Sequence, residues 1–367
     1  MVLEHLSIID YKNIAQADLC FSPNVNCFLG ANGMGKTNLL DAIYYMSFCK
    51  SSRTLSDACN LRHDAPFFLL QARYRTDDGG EEQASCSYRP GQRKRLKWND
   101  KDCRRIAEHV GRVPLILISP GDLQLVIGGS EERRRFMDMV ISQYDARYLD
   151  ALIRYDKALK QRNALLKAED LQDLSVMEVL EEVMSAAAHY IYTCRLAFVE
   201  DFRPVFRTLY DSLSDNAEER PDLCYLSHGS RGDFAELYRK GREKERVMGF
   251  SLYGTHRDEL DLRFNGFPVK SECSQGQTKT YFMAMKLAQY VFLKSKGADR
   301  VPILLLDDIF DKLDAGRVKR IIDYVSGAEF GQIFITDTHR EHLDDILTAT
   351  ERDYRMFSVE DGVVAPL

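Results

Sequence analysis

The stretch Gly30-Ala31-Asn32-Gly33-Met34-Gly35-Lys36-Thr37 fits the pattern GxxxxGK[ST]. Glycines at these positions let backbone N–H groups curl around phosphate oxygens. The lysine then reaches the β- and γ-phosphates, and the threonine hydroxyl is a ligand for Mg²⁺. The motif carries weight only between a strand and a helix. Upstream, Asn24 to Leu29 is a short apolar run. Downstream, Leu39, Leu40, Ile43, Tyr44 and Phe48 fall at near-helical spacing. Strand, glycine turn and helix in that order predict an α/β fold with a nucleotide at the turn, where the helix dipole favours anions.

The other half of such a site is expected on a neighbouring strand. Ile303 to Leu306 is an apolar strand that ends in Asp307 and Asp308. In phosphate-loop proteins the first acid of such a strand holds Mg²⁺, and a second acid can orient or deprotonate the attacking water. Alone, two aspartates after a strand are also a common loop start. Between these two motifs, Ser274-Gln275-Gly276-Gln277 precedes a helix at 276–295. Its hydroxyl and glycine can donate to a phosphate at that helix N-terminus, or Ser274 can simply be an N-cap.

The pattern around these motifs is an α/β domain split by a helical insertion. Short strands are predicted at Leu3–Ile9, Ala17–Phe21, 67–75, 83–89 and Val113–Ile118. From Glu131 to Lys167 apolar residues recur every three or four positions without glycine or proline, which predicts one long amphipathic helix. A second helix is expected over Val176–Ser212, interrupted at Pro204, followed by a polar, turn-rich segment at 214–233. Strands resume near Phe250–Tyr253 and Leu260–Phe264. A helix at 315–326 leads to a strand at Gln332–Thr336.

Composition excludes several classes. The 367 residues are 45% hydrophobic and 29% charged, which fits a globular chain and not a disordered one. The net charge of −6 argues against general polyanion binding, so any nucleic-acid contact needs a local basic patch. The nine cysteines form no CxxC pair or zinc-spaced cluster and read as reduced thiols of a cytoplasmic protein. The opening MVLEHLSIIDYKNI has no basic segment before an apolar core, so no signal peptide is expected. No apolar run approaches the roughly 18 residues of a membrane span.

With these motifs in place, the chain resembles the ABC-type ATPases of the SMC class, and the RecF family within it. The likeness covers nearly the whole chain. It is carried by GANGMGKTNLLDAIYYMS, SPGDLQLVIGGSEERRRFMD, YDKALKQRNALL, GTHRDEL, SQGQTKTYFMAMKLAQ and LLLDDIFDKLD, in that order. It implies an ATPase head over 1–128 and 250–367 with a helical arm domain over 129–249. It implies that Gly30 to Thr37, with Asn38 following, bind ATP. Ser274, Gly276 and Gln277 match the signature, which in this class contacts the γ-phosphate of ATP held by the other subunit. Asp307 matches the magnesium-associated acid, and Asp308 stands where most ABC proteins have a catalytic glutamate. Asp314 matches the D-loop aspartate. The chain departs from the family at Asp311, where serine is frequent, and at Gly121, where an acid is usual. His339, after Thr336-Asp337-Thr338, is not at the strand end where the switch histidine belongs.

The function so implied is ATP-dependent DNA binding in recombinational repair and replication restart. It includes slow hydrolysis, an ATP-dependent homodimer, double-stranded and gapped DNA, and cooperation with RecO and RecR in loading the recombinase. The alternatives are another SMC-like ATPase or a phosphate-loop enzyme that does not act on DNA. A kinase has no use for a signature segment, and a transporter's signature lies far closer to its phosphate loop. Arg93, Lys94, Arg95 and Lys97, in the basic stretch 89–105 around Trp98, are the candidate DNA contacts; the bland reading is a charged hairpin edge. Arg133, Arg134 and Arg135 open a helix, an unfavourable end for cations, and require partners in Glu131, Glu132 or a phosphate. Arg53, His256 and Arg257 are candidates for nucleotide or inter-subunit contacts.

Overall fold

The computed structural model describes residues 1–168, 174–214, 216–297, 300–309, 320, 324, 327, 330–340, 344 and 353–367. It contains two compact units, Met1–Asp122 with Gln289–Leu367, and Leu123–Ala288. In the first unit, β1 (Val2–Tyr11) and β2 (Ile14–Cys20) form a hairpin. Next, β3 (Val25–Leu29) runs through the glycine loop into α1 (Lys36–Phe48). Then β4 (Phe68–Arg75), β5 (Glu81–Tyr88), β6 (Arg95–Trp98) and β7 (Lys101–Asp102) extend the hairpin into an antiparallel sheet ordered β2-β1-β4-β5-β6-β7. The segment closes with β8 (Leu115–Ile118).

The second unit opens with the one-turn α2 (Gln124–Ile127), then α3 (Ser130–Tyr144), α4 (Ala146–Lys167) and the 40-residue α5 (Leu174–Leu213). It continues with β9 (Pro221–Leu226), α6 (Phe234–Met248), β10 (Glu259–Phe264), β11 (Phe267–Pro268) and α7 (Val269–Glu272). Its three strands form a sheet ordered β11-β10-β9. A long helix, α8 (Gln275–Lys296), begins in this unit and ends in the first.

Back in the first unit, β12 (Ile303–Asp307), β13 (Ile333–Asp337), β14 (Tyr354–Glu360) and β15 (Val363–Pro366) complete a second sheet, ordered β15-β14-β3-β13-β12-β8. It is parallel from β14 to β8, with β15 antiparallel at the edge. Val25, Phe28, Leu304, Leu305, Phe334 and Ile335 are completely buried. Strands covered on both faces need such continuous apolar runs. The carboxyl ends of β3, β13 and β12 therefore lie together, where open α/β sheets place their ligands.

Several expectations are corrected. The long helix at 131–167 is two helices, because Asp145 leaves helical geometry (φ −130°, ψ 97°) and caps α4, accepting from the N–H groups of Arg147 and Tyr148. Helical periodicity continues across the junction, which hid the break. Conversely, α5 runs unbroken through Pro204. The buried stripe Phe198, Phe202, Phe206 and Tyr210 straddles the proline, and its burial outweighs the roughly 3 kcal/mol a mid-helix proline usually costs. The polar segment 214–233 contains β9, which pairs with the distant β10 from Pro221↔Phe264 to Leu226↔Glu259. Phe250–Tyr253 is not a strand. Residues 250–288, assigned by sequence to the head, cluster with the second unit, where β10 pairs with β9 and Asp258 meets Arg195 at 2.7 Å. The helix expected at 315–326 falls largely outside the described residues.

Candidate nucleotide-binding site

The phosphate loop follows β3 and ends at Gly35, whose φ of 110° lies in the left-handed region that favours glycine. A Cβ there would also lie 2.6 Å from the Asn13 side chain. No side chain caps α1. Its first N–H groups, the positive end of the helix dipole, are therefore left without a side-chain cap among the described residues. Lys36, although 6% exposed, folds back onto the carbonyls of Gly30 (2.6 Å) and Ala31 (3.1 Å). Those are weak acceptors for an ammonium, and a phosphate oxygen is a better one. Ala31, Asn32 and Gly33 are exposed. Met34 is the bracing point: its carbonyl accepts from Asn13 Nδ2 (3.3 Å) and from the N–H of Gly362 (2.9 Å). Asn38 is tied to the same turn, its Nδ2 donating to Asn13 Oδ1 at 2.8 Å.

Asp307, at the end of β12, is 2% exposed. The hydroxyls of Thr37 and Thr336 both donate to its Oδ1 at 2.9 Å, and Arg53 pairs with Oδ2 at 2.6 Å. Thr336 is the residue facing Asp307 across the strands, and it also accepts from the N–H of Asp308 at 3.0 Å. Asp308 itself adopts a left-handed φ of 52°. Thr37 and Asp307 supply converging hard oxygens, the donor type Mg²⁺ takes. That ion needs only one or two protein ligands beside phosphate and water. Among the described residues no cluster of three or more His, Cys, Asp or Glu side chains forms a separate metal cage. The residues present therefore fit Mg²⁺. Asp311 and Asp314 lie outside the described residues. His339 is exposed beyond β13, and its N–H donates to Asp337 Oδ1 at 2.7 Å.

In the second unit, Ser274 stands immediately before α8. Its Oγ accepts from the N–H of Gln277 (3.2 Å), while Gln277 Oε1 accepts from the N–H of Ser274 (2.8 Å). This is a reciprocal capping box. Gln277 Nε2 further donates to Glu219 at 2.8 Å. Ser274 is exposed and Gly276 half-buried. His256 is held between Tyr155 Oη (2.7 Å) and the Ser251 carbonyl (3.1 Å). Burial, with nearby Arg257 and Arg134, pulls its pKa down to about 4. Arg257 donates to the same Ser251 carbonyl and lies over Phe250. The arginines opening α3 find partners other than those expected: Arg133 pairs with Glu259 at 2.6 Å, and Arg134 donates to the Asp258 carbonyl at 2.8 Å.

The basic stretch divides. Lys94 is enclosed, donating to the Cys49 carbonyl and Tyr45 Oη and pairing with Asp57 at 3.0 Å. Arg95 is exposed and meets Asp102 at 3.2 Å; Arg93 is exposed and Lys97 half-buried. Trp98 is 7% exposed, packed on Tyr74 and Arg112. Three residues at the site were not found from sequence. Thr336 had a signal, a hydroxyl ending an apolar strand beside the acidic one. Asn13 and Asp41 had none, because each acts through contacts distant in the chain.

Comparison with known proteins places the chain in a family. The model of the RecF/RecN/SMC N terminal domain matches residues 2–365. A protein of Phocaeicola vulgatus named "DNA replication and repair protein RecF" is 52% identical over 99% of this chain and 98% of its own. The protein of that name in Porphyromonas gingivalis is 48% identical over 99% and 100%. A solved structure of the recombination mediator protein RecF with ATP in the RecFOR pathway superposes with a TM-score of 0.88 at 26% identity, covering 100% of this chain and 97% of that one. An Smc head bound to the C-winged helix domain of ScpA shares the fold, with a TM-score of 0.59 at 16% identity. With an ABC-type head and a helical insertion, the chain belongs to the RecF family of DNA replication and repair proteins.

Proposed function

We propose that this chain is an ATP-dependent DNA-binding protein of recombinational repair, acting from the cytoplasm as a homodimer on double-stranded and gapped DNA with RecO and RecR. The observation that carries the reading is the uncapped start of α1, with Lys36 folded onto carbonyls next to the Thr37–Asp307 pair. The N–H groups of Gly33 to Thr37 wrap the β-phosphate, and Lys36 swings from Gly30 and Ala31 to the β- and γ-phosphate oxygens. Thr37 and Asp307 hold Mg²⁺, which when bound neutralises charge on the β- and γ-phosphates. Asp308 orients the attacking water and accepts its proton. As its carboxylate stands one methylene short of glutamate, hydrolysis is slow. Ser274 and Gly276 donate to the γ-phosphate of ATP on the other subunit, so ATP joins two heads and hydrolysis parts them. The exposed Arg93 and Arg95, with Lys97, meet DNA phosphates.

The ATP-bound RecF structure and the names of the relatives support this reading. Light scattering with ATP tests it. Asp308→Asn is expected to remain a dimer that holds DNA, since general-base help is typically worth about 10²–10⁴-fold in rate. Ser274→Arg is expected to bind ATP as a monomer. A monomeric Asp308→Asn, or a Ser274→Arg that dimerises normally, overturns the paired-head mechanism.

A further inference from the structure

The loop that carries Arg53 is anchored by one carboxylate on the phosphate-loop helix. Asp41, 1% exposed on α1, accepts from Tyr11 Oη, Ser51 Oγ, and both the N–H and Oγ of Ser52, each at 2.7 Å. It also pairs with Lys12 at 2.6 Å. Burial pushes this carboxyl up, but Lys12 and the hydrogen bonds outweigh burial and hold it below the usual carboxylate range. Ser51 Oγ in turn accepts from the N–H groups of Arg53 (3.1 Å) and Thr54 (3.2 Å). The backbone at Arg53 is thus fixed, while its side chain, 47% exposed, reaches Asp307.

Both oxygens of Asp307 are engaged. Oδ1 takes the hydroxyls of Thr37 and Thr336, and Oδ2 takes Arg53. A carboxylate this buried needs a countercharge whenever no metal is present. Lys36 rests on backbone carbonyls and Lys12 on Asp41. Among the described residues, Arg53 is the cation within ion-pair distance of Asp307. We propose that Arg53 is a tethered cation that competes with Mg²⁺ for Asp307, and that Asp41 is the positioning residue that holds it there. The inference rests on the reading of Asp307 as the magnesium-side acid. A free arginine gives up side-chain freedom on pairing, so a half-exposed one keeps a partner only when its backbone is held. Binding of the ion then requires Arg53 to leave Oδ2, which frees a guanidinium beside the phosphates at the moment nucleotide and metal arrive.

The test is Mn²⁺ binding to the full chain with ADP, followed by electron paramagnetic resonance. Arg53→Gln is expected to tighten Mn²⁺ by about two- to fivefold, the upper range of a half-exposed ion pair. Arg53→Lys, which keeps the charge, is expected to fall between. Asp41→Asn is expected to tighten Mn²⁺ in the parent chain and to have no further effect in the Arg53→Gln background. Ser52→Ala, which leaves the Lys12–Asp41 pair intact, is expected to shift affinity the same way by less, and it serves if Asp41→Asn fails to fold. Unchanged or weaker Mn²⁺ binding by Arg53→Gln overturns the competition. An Asp41→Asn effect that persists without Arg53 overturns the positioning role. If Asp307→Ala binds Mn²⁺ like the parent, the reading of the site itself has failed.

Discussion

The two helix starts that carry the glycine motifs, α1 and α8, are built in opposite ways. At α1 no side chain caps the helix, and the residue before it is a glycine at φ 110°. At α8 Ser274 and Gln277 cap each other, and Gln277 is further bonded to Glu219. Both sequences place a small or glycine-rich turn before a helix, and both match phosphate-binding motifs of their family. Only the first is open within its own unit. An uncapped N-terminus keeps its N–H groups for a ligand, whereas a capping box must be exchanged for one. The contrast fits a site in which the first helix binds nucleotide by itself and the second engages only when something replaces its cap.

Removing the open side of this contrast should have the largest effect. Lys36→Ala is expected to weaken nucleotide binding by about 100-fold or more, the usual loss when a charged partner is removed from a buried phosphate contact. Its thermal midpoint without nucleotide should hardly move, because among the described residues Lys36 donates to the Gly30 and Ala31 carbonyls and to no carboxylate. Calorimetric titration with ATP and a thermal scan measure both. Parent-like affinity would mean that the uncapped helix is not a phosphate site.

A second experiment exploits the closed character of the second unit. His256 is buried between Tyr155 and Ser251 with a pKa pulled down to about 4. A histidine that resists protonation when folded takes up its proton first in the unfolded chain. Protons therefore favour unfolding as pH falls below about 6.5, until the folded pKa is reached. From pH 7.5 to 5 the stability loss from this one group is about 2 kcal/mol. His256→Gln is expected to flatten the fall by that amount in denaturant titrations. A smaller slope should remain, since burial also lowers the pKa values of His109 and His228.

The open helix start was legible in the sequence because everything it needs is local: strand, glycines, Lys36, Thr37 and the apolar face of α1. The acidic strand was legible for the same reason. What decides the rest is not local. Thr336 reaches Asp307 only because β13 pairs with β12, and Arg53 reaches it only because Asp41 fixes a loop ten residues further along. The capped state of α8 could be read either way from Ser-x-x-Gln, since one serine serves both as a cap and as a phosphate donor. The break at Asp145 and the continuity at Pro204 failed as readings because tertiary contacts, Tyr190 on Asp145 and the buried phenylalanines of α5, decide both.

The closed start can be opened by mutation. Ser274→Ala removes one half of the capping box and should cost about 1 kcal/mol of stability. Gln277→Ala removes the other half together with the bond to Glu219, and should cost as much. If the Ser274 hydroxyl also meets the γ-phosphate, restoring a cap with Ser274→Asp should recover stability but not ATP-driven dimerisation, because a carboxylate repels the γ-phosphate. Recovery of both would make the cap, and not the hydroxyl, the functional feature.

The smallest effect on stability is expected at the basic hairpin, where Lys94 and Arg95 are neighbours with different surroundings. Lys94 is enclosed by Tyr45, Cys49 and Asp57, so it belongs to the fold. Arg95 and Asp102 meet with 65% and 60% of their side chains exposed, a pair that water and salt screen. Arg95→Ala should therefore change stability by no more than about 0.5 kcal/mol. Its effect on DNA is separable from that. An exposed guanidinium that meets a phosphate releases a counterion, so its loss lowers the slope of log affinity against log salt by about 0.9. Binding of a fluorescent duplex at several salt concentrations measures this slope. An unchanged slope with unchanged stability would leave Arg95 as a solvated edge charge, and the phosphate-binding surface would then have to lie on other residues of this acidic chain.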